Sequence, residues 1–311
     1  MVLTVTATSE RSARAYTFAR HETFHIRDGW LFKGMEALSE DPTALHAKDA
    51  HHQLGMGINM RKSLVYWIQA TGLARAGTVE RGVIRSLELT DVSTIVREHD
   101  PYLEDVGTSW LIHINLATNV RLATLWYWAY NEMPQRDFNE GRLVAHAKGL
   151  LHAQPIPAVK ESSLKKDANC FLRTYVASGS RRGQGGREEA LDCPLASLGL
   201  VRQSGTPGMY RFRVGARRNL PIDIFTYTLY RFLEQTSPDL AALSLEDIRW
   251  APQSPGRLLC LDTRAILDYL EQLEATTKHA RFIRTAGLNM VALDSEVRSL
   301  DVLSNYYSQQ E

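Results

Sequence analysis

Residues 34–74 read GMEALSEDPTALHAKDAHHQLGMGINMRKSLVYWIQATGLA. Ala44, Leu45, Ala47 and Ala50 precede the break LGMGIN. After it Met60, Leu64, Val65, Trp67 and Ile68 recur at helical spacing. The pattern predicts helix, helix, turn, helix. Asn59 stands where an N-cap of the third helix belongs, and Gly72 where that helix should stop. Two helices joined by a short glycine-bearing turn have the shape of a helix-turn-helix, here over about residues 43–73. In such an element the second of the pair enters the DNA major groove, led in this chain by Asn59, Arg61 and Lys62. An ordinary helical hairpin has the same pattern, so both readings stay open.

Working outward, DPYLEDVGTSWLIHINLATNVRLATLWYWAYNEM places Trp110, Leu111, Ile114, Leu116, Leu122, Leu125, Trp126 and Trp128 on one long buried helix or a broken pair. A variable loop is expected between residue 74 and this stretch. FNEGRLVAHAKGLLHAQ and SSLKKDANCFLRTYVA read as helices, the second capped by Ser162 or Ser163. SGSRRGQGGREE is a Gly/Ser/Arg loop with nothing to build a core. CPLASLGLV reads as a short helix running into a strand. GMYRFRVG alternates Tyr210, Phe212 and Val214 with Arg211 and Arg213, a half-buried strand with a basic outer face. Together the two resemble the end of a winged helix with its wing. PIDIFTYTLYRFLEQ and DTRAILDYLEQLEATTK are helical, PGRLLCL is expected to be a strand, and the tail from Arg281 is mixed. The expectation is a mainly α protein with short strands, a mixed α/β fold of helix-turn-helix and winged-helix-like modules. Its organisation would be an N-terminal helical domain over 1–157 and a C-terminal winged-helix-like part over 158–311, with a flexible basic loop at about 178–190.

The 311 residues are 44% hydrophobic and 23% charged, ordinary for a globular chain with several modules. The apolar runs are short and interrupted, so no bilayer-spanning helix is expected. The opening MVLTVTATSERSARAY lacks a basic start followed by an apolar core, and a cytoplasmic protein is the plain expectation. Cys170, Cys193 and Cys260 are an odd, widely spaced set, which argues against a disulfide framework or a cysteine zinc site. Each of the three reads as a core residue. Net charge is +1 but uneven: residues 160–218 carry twelve Lys or Arg against five acids, and residues 98–140 carry seven acids against Arg121 and Arg136. A basic middle suits a polyanion.

Residues 20–30, RHETFHIRDGW, contain H-E-x-x-H at His21, Glu22 and His25. A zinc-protease helix needs both imidazoles one turn apart on a straight helix. Thr23, Phe24 and Ile26 are poor helix formers and Gly29 follows at once, so zinc hydrolysis is a remote alternative and no zinc is expected. Two further readings remain. In one, Glu22, Arg27, Asp28 and Lys33 form an ion-paired plug that pins the N-terminal segment to the core. In the other, Arg27 and Lys33 clamp DNA phosphates while Glu22 or Asp28 holds a divalent ion.

HETF…R.GWL.KG, LG.G.NM..S..YW…GL, DPYLED.GT.WL.H, S.LKKD..C.LR.Y, PL..LGL, SPGR…LD and TAGL occur in order from residue 21 to residue 288. That run resembles the domain-of-unknown-function family numbered four thousand and seven, the SspB-like family of Ssp-type DNA phosphorothioation operons. The resemblance implies a part in sulfur modification of the DNA backbone and in phage defence. It implies partners as well: a cysteine desulfurase, an ATPase and an ATP-pyrophosphatase-like protein. It also implies DNA nicking, for which no catalytic residues are carried over.

Nicking is in-line attack of water on a phosphodiester, commonly with Mg²⁺ or Mn²⁺ held by carboxylates. The chain offers Glu22 and Asp28, Glu104 and Asp105 beside Asp100 in DPYLED, and Asp167 in LKKDANC. Lys165, Lys166, Arg181, Arg182, Arg211 and Arg213 are the expected phosphate contacts, with Arg27, Lys33, Asn59, Arg61 and Lys62. The metal ligands stay unassigned. The functional expectation is a metal-dependent DNA-nicking component, with a non-catalytic DNA-reading or scaffolding subunit as the alternative. A monomer and a homodimer are both compatible with it.

Overall fold

Helix α1 (Trp30–Glu40) starts on Gly29, whose φ of 71° lets the chain turn sharply out of the preceding segment. In the computed structural model, which describes residues 16–153, 158–177, 193–236, 241–277, 279–285 and 288–309, α1 buries Trp30, Leu31, Met35 and Leu38. A 3₁₀ turn (Ala44–His46) and the single-turn α2 (Ala50–Gln53) lead to α3 (Ile58–Ala70). At Gly34 a Cβ would stand 2.8 Å from Ile68 Cδ1, so α1 and α3 meet at a small-residue contact. Gly72, at φ 71°, ends α3 as its position predicts. Asn59 is not the N-cap. Gly55 takes φ 63° and turns the chain early, so Gly57 caps α3 and Asn59 lies inside its first turn.

The expected variable loop after α3 is a hairpin. Strands β1 (Ala74–Ala76), β2 (Val79–Glu80), β3 (Val83–Ile84) and β4 (Leu87–Leu89) pair Ala74 with Leu89 and Val79 with Ile84. Arg81 and Gly82 both take positive φ, 49° and 77°, the two-residue turn whose twist matches a hairpin. The Leu87 N–H donates to the Pro42 carbonyl at 2.8 Å, so the stretch after α1 adds one bond to this sheet.

Helix α4 (Asp91–His99) has a Thr90–Ser93 capping box. The buried aromatic stretch is a broken pair, α5 (Val106–Thr118) and α6 (Thr124–Asn131). At the break Asn119 donates to the Ala70 carbonyl at 3.1 Å and accepts from the Leu122 N–H at 3.0 Å. Next come β5 (Asp137–Phe138), α7 (Glu140–His152), α8 (Glu161–Tyr175), a 3₁₀ turn (Pro194–Leu198), β6 (Val201–Gln203) and β7 (Tyr210–Phe212). The last part holds α9 (Ile222–Thr236), β8 (Ala242–Ser244), α10 (Leu245–Trp250), α11 (Pro255–Leu258), α12 (Thr263–Thr276), β9 (Ala280–Thr285), β10 (Leu288–Leu293) and α13 (Ser299–Ser308).

The chain is thus a helix-rich mixed α/β fold with short antiparallel strands. Among the described residues one connectivity recurs. In the second unit α6 is followed by β5, then α7 and α8, then the β6–β7 hairpin, with sheet order β5-β7-β6. In the third, α9 is followed by β8, then α10, α11 and α12, then the β9–β10 hairpin, with sheet order β8-β10-β9. The first unit repeats it with α1, Pro42, α2, α3 and the β1–β4 hairpin. The expected boundary at 157/158 falls inside the second unit, where β5 pairs with β7 across it. One continuous core runs through all three units, and Cys170, Cys193 and Cys260 are buried in it.

Two local expectations are corrected. PGRLLCL is α11 and a turn, not a strand, and Cys260 sits at φ 51°. Ser254 caps the Arg257 N–H and Pro255 fills the first helical position, which together start a helix. Helix α8 begins one residue before Ser162, at Glu161, with Lys160 as its N-cap residue and no side-chain cap.

Candidate nucleic-acid interface

The segment holding RHETFHIR runs between α3 and α8 and is bonded to both. From α3, Ser63 Oγ donates to the His21 carbonyl at 3.0 Å and Trp67 Nε1 to the Phe24 carbonyl at 3.0 Å. From α8, Asp167 Oδ1 accepts from the Ala19 N–H at 2.7 Å and meets His21 Nε2 at 2.8 Å, and Cys170 Sγ lies 3.4 Å from the Phe24 carbonyl. The Thr23 N–H donates to His21 Nδ1 at 3.1 Å, so the ring proton is on Nε2 and is given to Asp167. His21 and Asp167 are 1% and 2% exposed, among Tyr66, Trp67 and Trp126. Burial raises the Asp167 pKa, against the hydrogen bonds from His21 and Ala19.

The H-E-x-x-H residues therefore do not form a zincin helix. His21 lies in a turn and His25 in the irregular stretch after it, with Glu22 and Thr23 at φ 48° and 68°. The segment is pinned to the core as a polar plug, but through the His21–Asp167 hydrogen bond rather than through Glu22, Arg27, Asp28 or Lys33. Glu22, Asp28 and Lys33 are exposed, and Lys33 Nζ donates to the Leu54 carbonyl at 3.3 Å. Arg27 is half-buried, its guanidinium 5.3 Å from the Phe24 ring and 5.6 Å from Trp30.

Beside Arg27 a cleft lined by His51, His52, Gly57 and Met60 opens at the start of α3. Gly57 brings no side chain to that helix end, and a helix N-terminus favours anions. Ile58, Asn59 and Lys62 are exposed there. Arg61 turns inward instead, Nη1 donating to the Leu45 carbonyl at 3.0 Å. Across the plug, α8 exposes Ser162, Lys165, Lys166 and Asn169, with Arg173 half-buried. Lys148 and Lys165 both bond Glu161 and pull its carboxyl down to about 2. Lys166 has no ion pair among the described residues. In the third unit α12 exposes Asp268, Glu271 and Glu274 against Arg264, the wrong sign for a phosphate backbone.

The other candidates lie apart from this face. Asp105 caps α5, its Oδ1 accepting from the Gly107 and Thr108 N–H groups at 2.7 and 3.2 Å and from Tyr306 Oη at 2.7 Å. Asp100 accepts from the Glu104 and Asp105 N–H groups, while the Glu104 side chain is exposed. Arg211 pairs with Asp137 through both ends of its guanidinium, at 2.6 and 2.9 Å. Arg213 is exposed, and Arg181 and Arg182 lie outside the described residues. Among the described residues no three His, Cys, Asp or Glu side chains converge to hold a metal ion.

Arg20, His51, His52, Asn169 and Arg173 lie on or beside these elements and were not among the residues singled out from the sequence. Arg20 is exposed next to Ala19, whose N–H is fixed to Asp167. The i, i+4 spacing of Lys165, Asn169 and Arg173 was the available signal for one face.

The family model described as "Protein of unknown function (DUF4007)" matches residues 18–307. A solved structure described as "SspB crystal structure" is 29% identical and aligns over 96% of this chain and 91% of its own, with TM-score 0.86. A second, described as "Magnesium ion-bound SspB crystal structure", has the same identity and coverage and a TM-score of 0.87. No curated protein matches the chain. Among the described residues no helix is long and apolar enough to cross a membrane.

Proposed function

Because the chain belongs to the DUF4007 family and is similar over nearly its whole length to SspB, we propose that it is the DNA-binding component of an Ssp-type DNA phosphorothioation and anti-phage system. Its three repeated units are winged-helix-like. The first two read duplex DNA with the exposed faces of α3 and α8, corresponding helices of those units. One observation carries this reading: both helices are bonded to the same buried segment, through Ser63 and Trp67 on one side and Asp167 and Cys170 on the other. Two helices so locked present their cations at a fixed spacing, which is what a duplex with fixed groove geometry requires. The partners are those of such a system: a cysteine desulfurase, an ATPase and an ATP-pyrophosphatase-like protein.

Lys165→Glu with Lys166→Glu should weaken duplex binding by at least about tenfold and reduce the salt slope by about one to two, since Lys165 is shared with Glu161. Arg211→Ala, which removes a cation already paired with Asp137, should change affinity less than about twofold. Fluorescence anisotropy on one duplex across a salt series measures both. Equal affinity of the double variant and the parent would refute the α8 face.

The magnesium-bound SspB relative favours a second reading, metal-dependent nicking. Among the described residues the donors do not form a cage, so no catalytic step is derived from them. Glu22, Asp28 and Glu104 are the exposed candidate carboxylates, whereas Asp105 and Asp167 hold structural hydrogen bonds. A supercoiled-plasmid assay with Mg²⁺, Mn²⁺ or chelator decides. Metal-dependent open-circular product supports nicking, and a salt-sensitive shift of intact plasmid supports a DNA-reading subunit.

A further inference from the structure

Trp250, at the end of α10, is 50% exposed. The other five tryptophans, Trp30, Trp67, Trp110, Trp126 and Trp128, are all 5% exposed or less. Guanidinium groups attend its ring: Arg249 lies 4.0 Å from the ring centroid and Arg257 5.5 Å. Neither arrangement is accidental. Arg257 Nε donates to the Trp250 carbonyl at 3.2 Å. Gly256 packs so tightly that a Cβ there would stand 2.5 Å from the Arg249 carbonyl oxygen. The SPGR motif thus holds two arginines around one open indole, a role outside the α3 and α8 faces.

The charge around this indole is out of balance. Arg249 is 6% exposed and its Nε has no hydrogen-bond partner. Burial lowers its pKa, and Arg136 and Arg257 lower it further, while Asp262 acts in the opposite sense. Asp262 itself caps α12 through the Ala265 N–H. Among the described residues no carboxylate forms an ion pair with Arg136, Arg249 or Arg257. A buried guanidinium with an unused N–H and no carboxylate in ion-pair contact favours an anion at this place.

An anion beside an open aromatic ring is the chemistry of a nucleotide: a base with a π-face and a phosphate within a few ångströms. A base inside a duplex has both faces covered by its stacked neighbours, so the ring is open to a base only when that base is unpaired and unstacked. We infer that Trp250, with Arg249 and Arg257, is a stacking site for one unpaired nucleotide of single-stranded DNA, the base on the indole and the phosphate on the guanidinium groups. The inference rests on the proposed DNA-binding function. It adds a strand-state preference to it, for DNA at a nick, gap or unpaired position. Arginine flanking an aromatic platform tolerates any base, so little sequence preference is expected at this site.

The test uses the full chain with a ten-nucleotide oligothymidylate and, separately, a duplex. Because the other tryptophans are buried, quenching of exposed-tryptophan emission by the oligonucleotide reports on Trp250. Trp250→Ala should lose that quenching and bind single strands about five- to hundredfold more weakly, the range for one stacked base. Its duplex affinity should stay within about twofold. Trp250→Phe should recover most of the single-strand affinity, since it keeps an aromatic face. Arg257→Ala should weaken single-strand binding without removing the emission. If Trp250→Ala binds single strands as well as the parent while duplex binding persists, the stacking site is wrong and the α3 and α8 reading survives. If the parent binds neither form, both fail.

Discussion

Asp167→Ala should lower the free energy of unfolding by about 2–5 kcal/mol, the loss expected when two buried donors lose their shared acceptor. The loss has named parts. Oδ1 of Asp167 accepts from both the Ala19 N–H and His21 Nε2, so alanine leaves two buried donors without an acceptor. It also leaves a void beside the His21 ring, which Tyr66, Trp67 and Trp126 surround. Asp167→Asn separates hydrogen bonding from charge. The amide oxygen can take the place of Oδ1 and keep both bonds, and it removes a carboxylate whose charged form is disfavoured by burial. It should therefore cost less than about 1.5 kcal/mol. Urea unfolding of the three proteins measures this. Equal destabilisation by alanine and asparagine would mean that the charge, not the acceptor, holds the segment. The alanine variant should also bind duplex more weakly at a temperature where it stays folded, since α3 and α8 then lose their shared tie.

Acidification should destabilise the protein through His113. This ring is fully buried on α5, with Nε2 donating to the Leu258 carbonyl and Nδ1 accepting from Tyr175 Oη, each at 2.8 Å. Burial pushes its pKa from 6.5 down to about 4, against the Leu258 hydrogen bond, and the Arg217 charge lowers it further. The folded state thus holds a proton less tightly than the unfolded one. The contribution is fully present above pH 6.5 and is lost as pH falls toward 4. It amounts to about 3 kcal/mol, most of it gone by pH 5. Denaturant midpoints at pH 7, 6 and 5 should fall in that order. His113→Gln should be less stable at pH 7 yet fall less steeply. The slope that remains belongs to His46 and His146, whose pKa values burial also lowers. A parent protein with the same midpoint at pH 7 and pH 5 would contradict the buried neutral ring.

Helices with a local signature were legible from sequence: α3 from its apolar spacing and Gly72, and α12 from Asp262, which accepts the Ala265 N–H. The mixed fold class followed from them. Two features escaped for physical reasons. The first strands of the second and third units are two and three residues long, too short for any periodicity to register. The His21–Asp167 pair joins residues 146 positions apart, and single-sequence patterns carry no information at that separation. The odd composition of RHETFHIRDGW did signal a buried polar plug, but the nearby charges drew attention to the wrong partners. Glu22, Asp28 and Lys33 sit at the surface, whereas His21, His25 and Ile26 and the carbonyls of the segment are turned inward. The candidate site was legible as a set of cations, with Lys62, Lys165 and Lys166 on exposed helix faces. Which cations were already occupied, as Arg61 and Arg211 are, depended on tertiary contacts.

The tie between the first unit and α8 also sets an order of events on the ribosome. His21 emerges early, but its acceptor is made 146 residues later. At about 5–20 residues per second that is a wait of roughly 7–30 seconds. During it Ser63 and Trp67 can already hold the His21 and Phe24 carbonyls, but the Ala19 N–H and His21 Nε2 lack their acceptor. A nascent chain therefore has its first helical unit before the N-terminal segment is tied on both sides. Fragments ending before α8 should bind a folding helper or a protease at residues 17–26, a site that closes only when synthesis has passed Tyr175.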